Sequence, residues 1–277
     1  MRSILRIITA CIVLMCYTIH AEEPQTRTAI IGAMDVEIAL LKSALTEPKT
    51  ETYERLTFIT GTLNGQSVVV LKTGIGKVNA AMTVTLLLQH YKPSAVIFTG
   101  IAGAIHPDLN PGDIVIGTKT AQHDYGDILE KEGLKREGTR NGITGKRNPL
   151  FYPADPKLLE AAQRCTAKLE LQPVKLNGVD HKPVIMSGSI VTGDLFIASS
   201  TKKDELRKEL QADAVEMEGA AVAQICFQQE VPCLIIRSLS DRADGNAVLD
   251  EKTFFKIAAG NSAKLVLELM AELQKTK

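Results

Sequence analysis

The chain has 277 residues, 45% hydrophobic and 4% aromatic, with 32 basic and 32 acidic side chains. That length supplies one large core, and a balanced charge gives no basic surface for nucleic acid or an anionic membrane.

Residues 1–21 stand apart. Arg2 and Arg6 precede the run Ile7–Tyr17, apolar except for Thr9, and Ala21 offers a small residue just before Glu22-Glu23-Pro24. The apolar run is too short to span a bilayer, so 1–21 reads as a cleaved secretory signal. An exported product, periplasmic or secreted, follows, with an uncleaved signal anchor as the alternative and no membrane contact once the signal is removed. Without Arg2 and Arg6, 32 basic and 32 acidic side chains become 30 and 32, a formal charge of −2. The remaining chain keeps Cys165, Cys226 and Cys233. An odd number, two of them in apolar runs, predicts buried thiols over a disulfide framework, with one pair left open.

Thr28–Gly32 reads as a short strand, followed by a helix over Val36–Leu45. Tyr53–Gly61 alternates, Asn64-Gly65 supplies a type I′ turn, and Ser67–Thr73 returns as an apolar strand. Gly74-Ile75-Gly76-Lys77 opens a helix over Val78–Tyr91, and Ala95–Thr99 is a buried strand ending in a turn at Gly100-Ile101-Ala102-Gly103. Pro111-Gly112-Asp113 leads into a strand at Ile114–Gly117. Residues 124–154 are charged, Gly-rich and weakly periodic, which predicts a surface loop or insertion. Asp155–Leu169 is an amphipathic helix with Pro156 in its first turn. A strand at Val184–Val191, a charged helix at Ser200–Leu210, a brief strand at Ala214-Val215 and a helix at Met217–Phe227 follow. The apolar run Cys233–Ile236 is a buried parallel strand that stops at Arg237, with Ser240, Asp241 and Asp244 just beyond it. A final helix lies near Glu251–Gln274. Strand and helix alternate throughout. This predicts one α/β domain over 22–277, a mixed, mostly parallel central sheet flanked by helices.

The cofactor motifs fail one by one. Gly74-x-Gly76 has Asn79 where a dinucleotide fingerprint needs its third glycine, and Lys77 lacks the spacing of a nucleotide phosphate loop. Ser187-Gly188-Ser189 is not a nucleophile elbow, and the five histidines show no metal-ligand spacing. No metal or cofactor is therefore called for. Three acids remain near strand ends: Glu37, Glu218 and Asp241, with Arg237 four residues before the last. Ligands in open α/β sheets sit beyond the carboxyl ends of strands. Read singly, Glu37 is better taken as a solvated helix N-terminal charge, and Glu218 and Asp241 are equally helix-start charges; converging on one sheet edge, they point to acid/base chemistry on a small ligand.

Several stretches carry a family likeness. They are Ile30-Ile31-Gly32-Ala33-Met34-x-x-Glu37, Lys72–Ala81, Thr99-Gly100-Ile101-Ala102-Gly103, Gly112-Asp113-Ile114-Val115, Gly193-Asp194-x-Phe196-Ile197, Val215-Glu216-Met217-Glu218 and Ser240-Asp241-x-Ala243-Asp244. In that order they resemble the 5′-methylthioadenosine/S-adenosylhomocysteine nucleosidases of the nucleoside phosphorylase superfamily. The resemblance implies that Asp241 protonates N7 of adenine, while Glu37 with Arg237 positions and deprotonates the attacking water. It implies that Glu218 holds the ribose hydroxyls with Met217 against the sugar, and that Phe196 stacks on the purine while the backbone of Ile197 reads its edge. Ile101, Ala102, Gly103 and Ser240 would complete the substrate-binding wall, Ile101 standing where the family carries serine. A homodimer is implied, with part of the 5′ pocket coming from the 124–154 region across the interface. An aromatic lid near the last helix is implied too, with Phe254 and Phe255 as candidates. Two other readings on the same fold are a purine nucleoside phosphorylase and a non-catalytic nucleoside-binding or storage protein.

Overall fold

β1 (Thr28–Gly32) is buried along its whole length and lies in the interior of a ten-stranded sheet. The structure, a computed structural model, describes residues 27–131 and 133–275, so the secretory signal read at 1–21 lies outside the described residues. From β1 the chain turns into α1 (Asp35–Ala44) and then runs through β2 (Thr46–Tyr53), β3 (Leu56–Leu63) and β4 (Gln66–Lys72). α2 (Lys77–Tyr91), β5 (Ala95–Ala104) and β6 (Ile114–Gln122) follow. Two short strands, β7 (Gly126–Leu129) and β8 (Gly133–Arg136), precede β9 (Tyr152–Pro153) and α3 (Pro156–Cys165). The chain continues through β10 (Val174–Leu176), β11 (Val179–His181), β12 (Ile185–Thr192), α4 (Ser200–Leu210), β13 (Ala214–Glu216), α5 (Gly219–Gln228), β14 (Cys233–Asp241) and α6 (Ala247–Lys275).

The sheet order is β13-β12-β6-β14-β5-β1-β4-β3-β2, with β9 added beside β6. β1 runs parallel to β4 and β5, and β14 runs parallel to β5 but antiparallel to β6. β13, parallel to β12, also pairs antiparallel with β5, so β13, β12, β6, β14 and β5 close into a ring. Strand alternation divides the core. Ala29, Ile31, Val69 and Phe98 face α2 and α5, whereas Ile30, Val70, Ile97 and Ile236 face α1, α3 and α6. Each of these Ile, Val and Phe side chains contributes about 1.5–3 kcal/mol on burial, which favours strands apolar on both faces.

The mixed α/β architecture is the one read from the alternating pattern, and the differences are local. β2 has no counterpart among the expected elements, because TEPKTETY is exposed along nearly its whole length and carries no apolar signal. Its pairing with β3 begins at Glu54-Arg55, where both residues have positive φ, so the alternating run expected from Tyr53 is interrupted by a turn. The turn expected at Gly100–Gly103 is instead part of β5, and Arg237 and Asp241 lie inside β14 and not beyond it. Ring closure explains both: Arg237 registers with Gly100, and Gly103 registers with both Asp241 and Val215. The 124–154 region holds the β7–β8 hairpin and a buried polar knot, where Asn148 donates to Thr139 (2.9 Å) beside the Tyr152 hydroxyl. Cys165, Cys226 and Cys233 are buried free thiols. Among the described residues no helix is long and apolar enough to cross a membrane.

Candidate active site

Glu37 enters at the first turn of α1, immediately after β1. Its Oε2 accepts from the Met34 backbone N–H (2.8 Å) and its Oε1 from the Ile101 N–H (2.9 Å), tying the helix start to β5. A glycine at 100 makes the approach possible, since a Cβ there would lie 2.6 Å from Glu37 Oε1 and 3.1 Å from Arg237 Nη1. Glu37 is 2% exposed, and burial raises its pKa above the ordinary carboxylate value, partly offset by Arg237 and the two backbone donors.

Arg237 is 1% exposed and stacks over the Phe98 ring, its Cζ 4.1 Å from the ring centroid. Its Nη2 donates to Glu216 Oε2 (2.6 Å) and lies 3.9 Å from Glu218 Oε2. Glu216 also accepts from Thr192 Oγ1 and from the backbone N–H groups of Glu218 (3.0 Å) and Gly219 (2.9 Å) at the start of α5. One guanidinium therefore faces three buried acids, Glu37, Glu216 and Glu218. Burial and the charge of Glu216 push the Glu218 pKa up to about 8, although its Oε1 accepts from the Gly76 N–H at 2.8 Å. At neutral pH the cluster thus keeps a proton on Glu218.

Asp241 closes β14. Its Oδ1 accepts from the Ala243 N–H and its Oδ2 from the Ser240 hydroxyl, each at 2.8 Å. Burial raises its pKa to about 6 against those two donors, and the charges of Asp250 and Glu251 add to the rise. Gly103 on β5 leaves the room, since a Cβ there would stand 2.7 Å from Asp241 Oδ1.

Phe196 and Ile197 sit on the segment between β12 and α4, which is latched to the N-terminus of α2. The Lys77 backbone N–H donates to Asp194 Oδ1 (2.8 Å), the Asp194 N–H donates to Asp124 Oδ2 (2.9 Å), and Lys77 Nζ pairs with Asp124 Oδ1 (2.6 Å).

These elements enclose one hollow with two lobes. The larger, about 130 Å3, is lined by Glu37, Glu218, Met217, Phe196, Asp241 and Ser240, with Ile101, Ala102 and Gly103 along β5. The smaller, about 30 Å3, shares Gly103, Phe196, Met217 and Asp241 with it and adds Leu195 and Ile197. Ten of the eleven residues singled out from the sequence therefore line one cavity. Arg237 does not; it lies behind the wall, under Glu216 and Glu218. The aromatic lid is placed differently too. Neither Phe254, which is buried, nor Phe255 lines the hollow, because the face of α6 turned toward it carries Glu251.

The sequence reading does not single out Glu216, Glu251, Met34 or Ile75, all of which line the larger lobe. Glu216 is detectable in principle, as an acid inside the apolar strand β13. Glu251 and Ile75 become visible only once α6 and the Gly74–Gly76 turn are packed against the sheet, and Met34, at the cap of α1, only once β1 and α1 are set beside them. Among the described residues no group of three His, Cys, Asp or Glu side chains is placed to hold a metal ion.

Comparison with known proteins agrees with this geometry. The family model described as "Phosphorylase superfamily" matches residues 27–271. A 5′-methylthioadenosine/S-adenosylhomocysteine nucleosidase of Bacillus subtilis (strain 168) is 39% identical over 248 residues, covering 89% of this chain and 99% of the relative. The crystal structure of the Neisseria meningitidis nucleosidase of that name, in complex with methylthio-immucillin-A, aligns with a TM-score of 0.76 at 37% identity, over 89% of this chain and 99% of that one. The Colwellia psychrerythraea nucleosidase in complex with adenine aligns with a TM-score of 0.76 at 33% identity, over 90% and 96%. A match of this extent assigns the chain to the 5′-methylthioadenosine/S-adenosylhomocysteine nucleosidase family of the phosphorylase superfamily.

Proposed function

We propose that the protein is a hydrolase cleaving the N-glycosidic bond of 5′-substituted adenosines such as methylthioadenosine, S-adenosylhomocysteine and 5′-deoxyadenosine, yielding adenine and the 5-substituted ribose. The observation that carries this reading is the charge of the lining. Glu37, Glu216, Glu218, Asp241 and Glu251 line the larger lobe and, among the described residues, no Lys, Arg or His does. A phosphate dianion would find acidic groups and no cation in this lining, whereas neutral water is tolerated. This favours hydrolysis over phosphorolysis. The graded acidity favours a working site over a binding protein, since perturbed carboxyl groups gathered in a cleft mark acid/base chemistry.

In this reading the base lies by the smaller lobe, stacked on Phe196 and read at its edge by the Ile197 backbone. Asp241, protonated through burial and oriented by Ser240, donates to N7 and makes adenine a neutral leaving group. The C1′–N9 bond breaks and its electron pair leaves with the base, generating an oxocarbenium-like sugar. Glu37 takes a proton from the attacking water as the oxygen bonds to C1′. A raised pKa strengthens it as a base once ionised. Glu218 holds the ribose hydroxyls while Met217 packs on the sugar. Arg237 acts through the acids in front of it, holding Glu216 and Glu218 in place and moderating the pKa of Glu37. One positioned acid supplies about 10²–10⁴-fold, so orientation of sugar and water must contribute a comparable or larger share of the usual 8–23 kcal/mol or so.

Two finer points belong to the same proposal. Ile75, which lines the cavity just before α2, and Val78 and Met82 in the first turns of α2 are at least half exposed. Such an apolar face supports a homodimer covering it, to be checked by light scattering of the purified chain. Removal of residues 1–21 and export are proposed from the sequence pattern, and N-terminal sequencing of the protein from its host checks them. For the reaction itself, adenine release is measured with and without phosphate over a panel of 5′-substituted adenosines. Phosphate-independent release supports hydrolysis; release that requires phosphate, or adenine binding without turnover, overturns it.

A further inference from the structure

We propose that Glu251 makes the 5′ end of the site selective for nucleosides whose 5′ substituent carries an ammonium group. The inference rests on the nucleosidase reading above and extends it to a side chain on α6 to which that reading gives no role. Glu251 lies in the first turns of α6 and lines the larger lobe together with Met34, Glu37, Ile75 and Glu218. It is absent from the smaller lobe, where Leu195 and Ile197 stand. With the base placed by the smaller lobe as above, Glu251 falls on the sugar and 5′ side of the hollow, on the same lobe as Asp241 but away from the far wall of the base lobe.

Among the described residues the Glu251 side chain makes neither a hydrogen bond nor an ion pair, although its neighbours are engaged. Asp250 pairs with Arg242 at 3.5 Å, and Arg242 also donates to Asn110 Oδ1 at 2.9 Å. Glu37 and Glu218 are held by backbone donors. Since no described Lys, Arg or His lines the hollow, the countercharge for Glu251 has to arrive with the ligand. A methylthio group meets Met34 and Ile75 but gives a carboxylate nothing. An aminoalkylthio or homocysteinyl group brings an ammonium that Glu251 can receive in a half-enclosed setting, where such pairs gain over fully exposed ones.

The charge of Glu251 also helps keep Asp241 protonated, an effect common to every substrate. The discriminating quantity is therefore a ratio. With the purified chain, kcat/KM is measured for methylthioadenosine and for its 5′-(3-aminopropylthio) analogue. In Glu251→Gln the ratio of the amino substrate to the methylthio substrate should fall roughly three- to tenfold, carried by KM, and 0.5 M NaCl should compress the wild-type ratio in the same direction. Glu251→Lys should lower the ratio further. A ratio unchanged within about twofold in both variants, with the two substrates losing activity together, overturns the inference and leaves Glu251 acting through Asp241 alone. Release of adenine from neither substrate by the wild-type chain would instead overturn the nucleosidase reading, and this inference with it.

Discussion

Replacing Asp241 by asparagine should disable the protein and stabilise it at the same time. The Asp241 carboxyl has its pKa raised from 3.8 to about 6, chiefly by burial. A folded-state pKa above the unfolded one means that the native state holds the proton more tightly. The corresponding stability is fully present below about pH 3.8 and is lost as pH rises through about 6. Taken at about 1.36 kcal/mol per pH unit, the gap amounts to about 3 kcal/mol of destabilisation above pH 6, of which about 2 accrues between pH 4 and pH 7. The asparagine amide would carry no charge to desolvate, would keep an acceptor for the Ala243 N–H, and would turn its own N–H toward the Ser240 hydroxyl oxygen. Urea unfolding followed by circular dichroism should then show Asp241→Asn more stable than wild type by about 2–3 kcal/mol near pH 7, and by only about 0.5 kcal/mol near pH 4. Adenine release should drop by about 10²–10⁴-fold, the usual worth of a placed general acid. A stability difference equal at both pH values would instead put an ordinary carboxyl at this position.

The same pKa directions predict a bell-shaped dependence of kcat/KM on pH. It should rise as Glu37 ionises above the ordinary carboxylate range and fall as Asp241 loses its proton near 6, placing the optimum on the acid side of neutrality; an optimum above pH 8 contradicts this assignment. Gly100→Ala would drive a Cβ into Glu37 Oε1 and Arg237 Nη1, so kcat should fall about 10²-fold while calorimetry still detects adenine at the base lobe. Arg237→Met should cost about 3–5 kcal/mol of stability in denaturant titrations near pH 8, since the buried acids around it lose their counterion, and less near pH 5, where the raised pKa values of Glu37 and Glu218 let those two take up protons.

How far the molecule can be read from its sequence depends on whether a residue's neighbours are local. α4 is bounded at Ser200–Leu210 in both readings because a charged helix with Ser199 as its cap writes its own ends. The opposite holds at β5 and β14. Gly100, Gly103, Arg237 and Asp241 look like strand terminators, yet each stays in the sheet because a distant strand supplies its partner and glycine leaves space for an acid. Asp241, Glu37 and Glu218 are identifiable as carboxylates beside apolar runs. Nothing in the local sequence says that Arg237 sits behind the wall or that Glu251, not Phe254, is the α6 side chain facing the hollow, because helix rotation is set by packing along the whole of α6. β2 escapes for the simplest reason: an exposed edge strand needs no apolar pattern.

The closure of β13 onto β5 has a consequence for how the protein becomes active. Val215 meets Gly103, and Asp241 meets the same glycine, so the hollow is bounded by contacts between positions far apart along the polypeptide. Such pairings carry the largest loop-closure penalty and are made late in the search for the native state. β1, β4 and α1 can assemble a hydrophobic nucleus before any of them form. On refolding from urea, turnover should therefore return after most of the helical signal, so enzymatic competence reports completion of the ring and not mere compaction.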